Sequence, residues 1–372
     1  MCAGAKLTIN WDALAANYRL LRRQVAPAQL AGVVKADGYG LGADGVAQTL
    51  LSQGCEHLFV ALLREAVALL PKVRGRAQVY VLNGLLPGQE QVCAREGAIP
   101  VLNSLDQARR WAAEALRLDR RLPAILQVDT GMSRMGMEPW EVDGFLADPA
   151  MAAWIDLRFL ISHLACADEP DHPANEEQAA RFRAMAERFP DLPRALDNSG
   201  GAFLARGHFD LVRAGIALYG GAPRVGANPM RPVVSLETAI AQLRTVPAGA
   251  GVGYGMTFHA ARPTRIAAIP VGYADGWPRA LSNRGAAWIA GHRAPIIGRV
   301  SMDSITIDVT DVPDQHLYPG APVELLGPHQ TIDDVAADAG TISYEILTQL
   351  SRRYERAYVG MAATALNESP SS

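Results

Sequence analysis

Several residue types in this chain could do covalent or proton-transfer chemistry if the fold gathered them. The first is a lysine closing an apolar run, in Ala31-Gly32-Val33-Val34-Lys35-Ala36-Asp37-Gly38-Tyr39-Gly40. Desolvation at the end of a buried strand disfavours the ammonium form of a lysine. A lysine that is partly neutral is a nucleophile, and with an aldehyde it forms a Schiff base. Taken alone, Lys35 reads more readily as a strand-end lysine whose stem carries its charge to solvent. Its company further along the chain gives it the chemical reading. That company is Asp129-Thr130-Gly131-Met132-Ser133-Arg134, His163, Asn198-Ser199-Gly200 and Arg213-Ala214-Gly215-Ile216. Each has a plainer explanation by itself. Asn198 and Ser199 suit a helix cap, His163 a satisfied core histidine, and Arg134 a surface ion pair.

The elements that must position these residues explain why they belong together. Short apolar runs occur at Gly32-Lys35, Leu58-Ala61, Val79-Leu82, Ile99-Leu102, Ala124-Asp129, Leu157-His163, Arg194-Asp197 and Leu211-Arg213. Helix-like stretches such as Trp11-Arg23, Asp44-Gln53, Leu63-Leu70, Leu105-Leu116 and Glu176-Arg188 lie between or beside them. Near-continuous apolar strands alternating with amphipathic helices predict an α/β fold with a parallel sheet covered by helices. Eight runs over this length suit a (β/α)₈ TIM-like barrel, which takes about 250 residues. A doubly wound sheet is weakened by the lack of Gly-x-Gly-x-x-Gly after the first run. In a barrel, chemistry sits at the C-terminal strand ends, where all five residue sets fall.

That rim meets the needs of pyridoxal phosphate. Ser199 and the open backbone at Gly215-Ile216 can receive a phosphate beside the last two strands, where barrels often hold one. The phenol of Tyr39 lies just past the lysine and can reach the same group. Arg213 is placed to face the pyridine nitrogen. An arginine does not give up its proton there, so the ring stays a weaker electron sink, which suits proton transfer better than transamination.

Composition limits the remaining choices. The 372 residues are 49% apolar and 20% charged, ordinary for a globular protein with room for two domains. A net charge of −3 makes no electrostatic case for nucleic acid or an anionic membrane. The apolar runs are too short to span a membrane. Residues Met1 to Asn10 carry Lys6 and no apolar signal core, which predicts a cytoplasmic protein. Cys2, Cys55, Cys93 and Cys166 lack paired spacing, so neither a disulfide framework nor a metal site is expected. Near Arg231-Pro232 the texture changes to shorter alternating runs: Leu236-Thr245, Thr264-Ile269, Ala286-Ala290, Pro295-Ile297, Ile305-Val309 and Pro322-Leu326. These predict a smaller, mostly antiparallel β domain. Thr331 with Asp333 and Asp334 reads as a helix start, and Ser343 to Leu350 as another helix. The expected division is a barrel over 1–232 and a β-rich domain over 233–372. Residues Asn367 to Ser372 read as a disordered tail.

Taken in order, these motifs resemble the alanine racemase family. They are Val-Val-Lys-Ala-Asp-Gly-Tyr-Gly, Asp-Thr-Gly-Met-Ser-Arg-Met-Gly, Ser-His-Leu-Ala-Cys-Ala-Asp-Glu, Asp-Asn-Ser-Gly, Arg-Ala-Gly-Ile-Ala-Leu-Tyr-Gly, Val-Gly-Tyr-Gly-Met-Thr-Phe, Val-Gly-Tyr-Ala-Asp-Gly and Gly-Arg-Val-Ser-Met-Asp. The resemblance implies interconversion of L- and D-alanine by a head-to-tail homodimer carrying pyridoxal phosphate on Lys35. It implies that Lys35 handles the α-proton on the D-face and Tyr254 on the L-face, with Tyr254 reaching the partner subunit's site. Arg134 would hold the cofactor's phenolate side and the substrate, and Met302 the substrate carboxylate. His163 would tune Tyr254 and Arg213. Asn198, Ser199, Gly215, Ile216, Tyr39 and Tyr344 would surround the cofactor. Tyr273, Arg299 and Asp303 would line the entrance with Tyr254. The family's usual task is D-alanine supply for peptidoglycan, and catabolic members share the motifs.

Some positions depart from the family pattern. Gln127 stands where many members carry a carbamylated lysine that orients the arginine matching Arg134. Ser301 replaces a frequent cysteine, Ala214 a frequent proline, and Asp37-Gly38 the commoner Asn-Ala. Other readings are a racemase of a larger amino acid such as serine, a pyridoxal-phosphate carrier or regulatory protein, and a decarboxylase or aldolase on the same fold. The stretch with Tyr254 and Arg299 to Asp303 argues against a carrier. An arginine facing the pyridine nitrogen argues against a decarboxylase.

Overall fold

The computed structural model describes residues 4–360. Cys2 and the tail expected to be disordered lie outside the described residues. Two compact units emerge. One holds residues 15–218 and 222–230; the other holds residues 1–14, 219–221 and 231–372.

The chain opens with β1 (Ala5–Asn10), whose apolar residues alternate, and then the helix Trp11–Val25. The first unit is built on β2 (Gln29–Val33), β3 (His57–Val60), β4 (Gln78–Val81), β5 (Ile99–Leu102), β6 (Leu122–Gln127), β7 (Ile155–Ile161), β8 (Arg194–Ala195) and β9 (Leu211–Ala214). All eight predicted runs are strands. They pair in parallel in the order β8-β7-β6-β5-β4-β3-β2-β9. The ring closes where the Asp210 amide donates to the Arg194 carbonyl and the Arg213 amide to the Asp197 carbonyl, both at 2.9 Å. Most positions in these strands are buried on both faces, which is why they read as continuous apolar runs rather than alternating ones. Helices follow at Ala43–Ser52, Leu63–Val73, Glu90–Glu96, Leu105–Arg117, Pro139–Ala147, Pro149–Trp154 and Ala174–Ala186. The helices at 90, 139 and 149 are short, and the sequence reading passed over them.

In the second unit, β10 (Val234–Ala239), β11 (Gln242–Val246), β12 (Gly251–Val252), β13 (Phe258–His259), β14 (Thr264–Ile269), β15 (Ala286–Ile289), β16 (His292–Pro295), β17 (Ile305–Asp308), β18 (Pro322–Leu326) and β19 (Glu355–Val359) form small sheets. One sheet runs β16-β15-β18-β10-β1-β19, a second β11-β14-β17, and β12 pairs with β13. Pairing is antiparallel except between β1 and β19. The run expected over Leu236-Thr245 is two strands in two sheets, broken at Ile240-Ala241. The strand expected at Pro295-Ile297 instead ends at Pro295. Both predicted helices form, at Ile332–Ala339 and Ser343–Gln349, and the Thr331 hydroxyl caps the first by accepting from the Asp334 amide.

The division expected at 232 differs from the observed one at the N-terminus. β1 does not join the barrel. It pairs antiparallel with β10 and parallel with β19, so the described residues up to Leu14 belong to the second unit. An alternating strand with one buried face suits that half-covered sheet and not a barrel wall buried on both sides.

Candidate active site

The backbone after Lys35 turns the wrong way for L-amino acids. Ala36, Asp37 and Gly38 sit at φ 55°, 54° and 63°, and Tyr39 at φ 56°. This is a left-handed helical turn, costing about 1–2 kcal/mol for each L residue. Only Gly38 escapes that cost. Hydrogen bonds hold the turn: the Gly38 amide to the Val34 carbonyl (2.9 Å), and the Gly40 amide to the Ala36 carbonyl (2.8 Å). Two carboxylates fasten its ends. The Asp37 Oδ1 accepts from the Ala43 amide at 2.9 Å, and the Glu65 Oε1 accepts from the Ala36 amide at 2.7 Å. Strain of this kind, maintained by surrounding contacts, is typical of functional sites.

Lys35 leaves the end of β2, beside β9, where Ala31 pairs with Arg213 and Gly32 with Ala214. Arg213 is buried. Its guanidinium donates to the carbonyls of Ala195 (2.8 Å), Ser162 (2.5 Å) and Leu196 (3.3 Å), and Nη2 lies 3.2 Å from His163 Nδ1. Burial pulls the Arg213 pKa down to about 10, against the pull of Asp197, so it remains a cation at neutral pH. His163 is pushed down to about 3 by desolvation and then by the charges of Arg213, Arg134 and Lys35. It is therefore a neutral imidazole, and its Nε2 lies 3.5 Å from the Asn198 side-chain Nδ2. Burial lowers the Lys35 pKa, Arg134 lowers it further, and Glu65 opposes both.

A second group gathers over β9. The Ser199 Oγ accepts from the amides of Gly215 (2.8 Å) and Ala217 (3.4 Å). A Cβ at Gly215 would overlap the Tyr39 hydroxyl and lie 3.9 Å from the Ser199 Oγ. Tyr39, Ser199, Gly215 and Ile216 thus form a cradle that only a glycine leaves open. Asn198 braces it, its Oδ1 accepting from the Gly201 amide at 3.0 Å and its Nδ2 donating to the Leu164 carbonyl at 3.2 Å. Arg134 is exposed on a loop wrapped around Asp129, whose carboxylate accepts from the amides of Gly131, Met132 and Ser133, each at 2.9 Å. Gln127 is buried, and its Nε2 donates to the Met135 carbonyl at 3.2 Å. That contact steadies the Arg134 loop with no charged group at position 127. Three cations, two hydroxyls and a glycine-lined backbone cradle fit an anionic, phosphate-bearing ligand. Among the described residues no group of three His, Cys, Asp or Glu side chains is arranged to hold a metal ion.

The remaining predicted residues lie in the second unit. Tyr254 opens a short 3₁₀ turn between Gly253 and Gly255, at φ 71° and 70°, and is 72% exposed. The Arg299 guanidinium lies alongside, where a Cβ on Gly255 would meet Nη1 at 3.1 Å. The Tyr273 and Ala274 amides donate to the carbonyls of Ser301 and Met302, both at 3.0 Å, which joins the Tyr273 and Met302 loops. Sequence reasoning missed the clamp on these loops. Arg353 pairs with Asp303 at 2.8 Å and with Asp275 at 3.2 Å, and the other Asp275 oxygen accepts from the Gly272 amide at 2.8 Å. A Cβ on Gly276 would overlap the Gln349 carbonyl, so this turn abuts the helix that carries Tyr344. Also missed was Asp197, buried beneath Asn198 and bound to Arg206 and His208. No local pattern marks such partners, because each bond joins residues whose proximity depends on loops.

Comparisons with known proteins place this geometry. Residues 9–223 match the family described as alanine racemase, N-terminal domain, and residues 233–358 match the alanine racemase C-terminal domain. The chain is 52% identical to a protein of Agrobacterium fabrum named "Alanine racemase, catabolic", over 98% of this chain and 96% of that one. It is 52% identical to an alanine racemase of Brucella canis, over 96% and 94% of the two chains. Among solved structures, an alanine racemase from Bartonella henselae with covalently bound pyridoxal phosphate is 41% identical. It superposes with a TM-score of 0.92 over 95% of this chain and 99% of that one. A biosynthetic alanine racemase from Pseudomonas aeruginosa is 33% identical, with a TM-score of 0.85 over 97% and 100%.

Proposed function

The chain belongs to the alanine racemase family, and from that premise we propose that it interconverts L- and D-alanine with pyridoxal phosphate held at Lys35. The observation that carries this reading is the strained turn that follows Lys35, its pKa lowered, past the end of the strand paired with the Arg213 strand, together with the Tyr39–Ser199–Gly215 cradle. When bound, the cofactor supplies the electron sink that lets the α-proton leave alanine.

The chain's own residues do the rest. Tyr39, Ser199, the backbone at Gly215 and Ile216, and Tyr344 hold the phosphate. Arg213 donates toward the ring nitrogen, kept in place by three backbone carbonyls and by His163. Arg134 and Met302 hold the substrate carboxylate. Lys35 Nζ takes and returns the proton on the D-face, and Tyr254 Oη does so on the L-face. Racemisation requires this pair, since one base alone would return the proton to the side it came from. The exposed phenol of Tyr254 supports its insertion into the partner subunit of a homodimer, with Tyr273, Arg299 and Asp303 narrowing the approach. We place the enzyme in the cytoplasm, supplying D-alanine for peptidoglycan.

Purified protein should absorb visible light through its lysine-bound cofactor, and Lys35→Ala should remove that band. Tyr254→Phe should slow exchange of the L-alanine α-proton with solvent deuterium by about 10²–10⁴-fold, leaving cofactor content unchanged. Exchange at the parent rate in Tyr254→Phe would end the two-base assignment.

A further inference from the structure

We propose that Glu65 is a positioning residue for Lys35, fastening the left-handed turn that follows the lysine to the next strand–helix loop. The inference rests on the reading of Lys35 as the reactive amine. Glu65 is the third residue of the helix Leu63–Val73. One carboxylate oxygen accepts from the amides of Ala61 (2.8 Å) and Leu62 (3.0 Å), as helix capping requires. The other accepts from the Ala36 amide at 2.7 Å. Ala36 is the first residue after Lys35 and the first of the left-handed turn. A single side chain, held at both carboxylate oxygens, therefore ties the reactive lysine's backbone to the neighbouring strand end.

The barrel holds an internal comparison. Glu141 is likewise the third residue of its helix, Pro139–Ala147. It caps that helix through the Glu138 amide at 3.1 Å and bridges to the preceding loop through the Leu105 amide at 3.0 Å. Leu105 begins an ordinary right-handed helix. The two glutamates share one structural task, and only Glu65 performs it on a strained turn bearing a nucleophile. The groups bearing on Lys35 are Arg134 and Glu65, with His163 in turn feeling the Lys35 charge. On the outer side, Glu65 lines a cavity of about 510 Å³ together with Ala36, Asp37, Asp44, Arg64 and Lys72, and Lys72 pairs with Asp44 at 3.6 Å. Without Glu65, the Ala36 amide loses its acceptor, the turn loses one of its two carboxylate anchors, and Lys35 loses the negative charge opposing Arg134.

The test uses Glu65→Gln and Glu141→Gln. In cofactor-free protein, the pH dependence of Lys35 acylation by an amine reagent is read by peptide mass spectrometry, with amide hydrogen exchange over residues 35–40. Glu65→Gln should move the Lys35 midpoint acidward, because the charge opposing Arg134 is gone, and speed exchange in the turn. In the loaded enzyme it should lower kcat at least about tenfold with KM for alanine little changed. Glu141→Gln should lower the melting temperature and leave the midpoint and turn exchange at parent values. A Glu65→Gln protein with the parent's midpoint and turn exchange would overturn the proposal and leave Glu65 a helix cap. If Glu65→Gln does not fold, Glu65→Asp, one methylene too short to span both loops, should speed turn exchange. Parent-like exchange there would overturn the proposal equally. The reading of Lys35 itself fails separately, if Lys35→Ala keeps the visible band.

Discussion

At the scale of single residues, His163 shows how a polar group is made inert so that its neighbours can act. The family resemblance implied a histidine that tunes Arg213 and Tyr254. In the structure it is a neutral spacer against Arg213, with a pKa near 3. That value lies below the 6.5 of a free imidazole. On acidification the unfolded chain therefore takes up a proton that the folded chain refuses, and stability contributed by neutral His163 is lost as pH falls from about 6.5 toward 3. We expect the unfolding free energy of His163→Asn to fall less steeply than the parent's across that window, by a few kcal/mol at its acid end. Denaturant titrations at several pH values measure this; parallel curves would show that His163 carries its proton in the folded state. Gln127 belongs to the same scale. It was legible as a departure from the family pattern, while its contact with the Met135 carbonyl depends on a loop that closes back on β6.

At the scale of elements, strands were more legible than turns. Each barrel strand announces itself by a run buried on both faces, a signal contained within the run. The left-handed turn does not. Ala36 and Tyr39 carry no local preference for φ near +55°; hydrogen bonds accepted by the Glu65 and Asp37 carboxylates, and those within the backbone, impose it. The cradle over β9 was half legible. Ser199 and Gly215-Ile216 stood out by composition, but the reason for glycine is the Tyr39 hydroxyl above it, a contact across 176 residues of sequence. Gly215→Ala should therefore displace that hydroxyl at a cost of about 1–3 kcal/mol, seen as a roughly 5- to 150-fold rise in the cofactor's Kd. Fluorescence titration of cofactor-free protein measures it, and an unchanged Kd would show that Tyr39 does not set the cradle.

At the scale of the whole molecule, each unit carries part of the proposed chemistry. Lys35, Arg213 and the cradle lie in the barrel unit, and Tyr254, Tyr273, Met302 and Tyr344 in the other. If the partner subunit supplies the tyrosine, Lys35→Ala and Tyr254→Phe proteins, each inactive, should regain activity when mixed and allowed to exchange subunits. Random pairing gives one intact site in each mixed dimer, or about a quarter of parent activity. No recovery, with mixed dimers demonstrated by native mass spectrometry, would place both bases in one chain. The pairing of β1 with β10 and β19 has a further consequence, during synthesis. Residues 5–10 leave the ribosome long before their partners and can pair only once residues 234–239 and 355–359 have followed. At about 5–20 residues per second, this apolar ribbon waits on the order of ten seconds or more while the barrel closes without it. A nascent chain arrested in that interval would expose a sticky, unpaired strand, a natural target for chaperone capture.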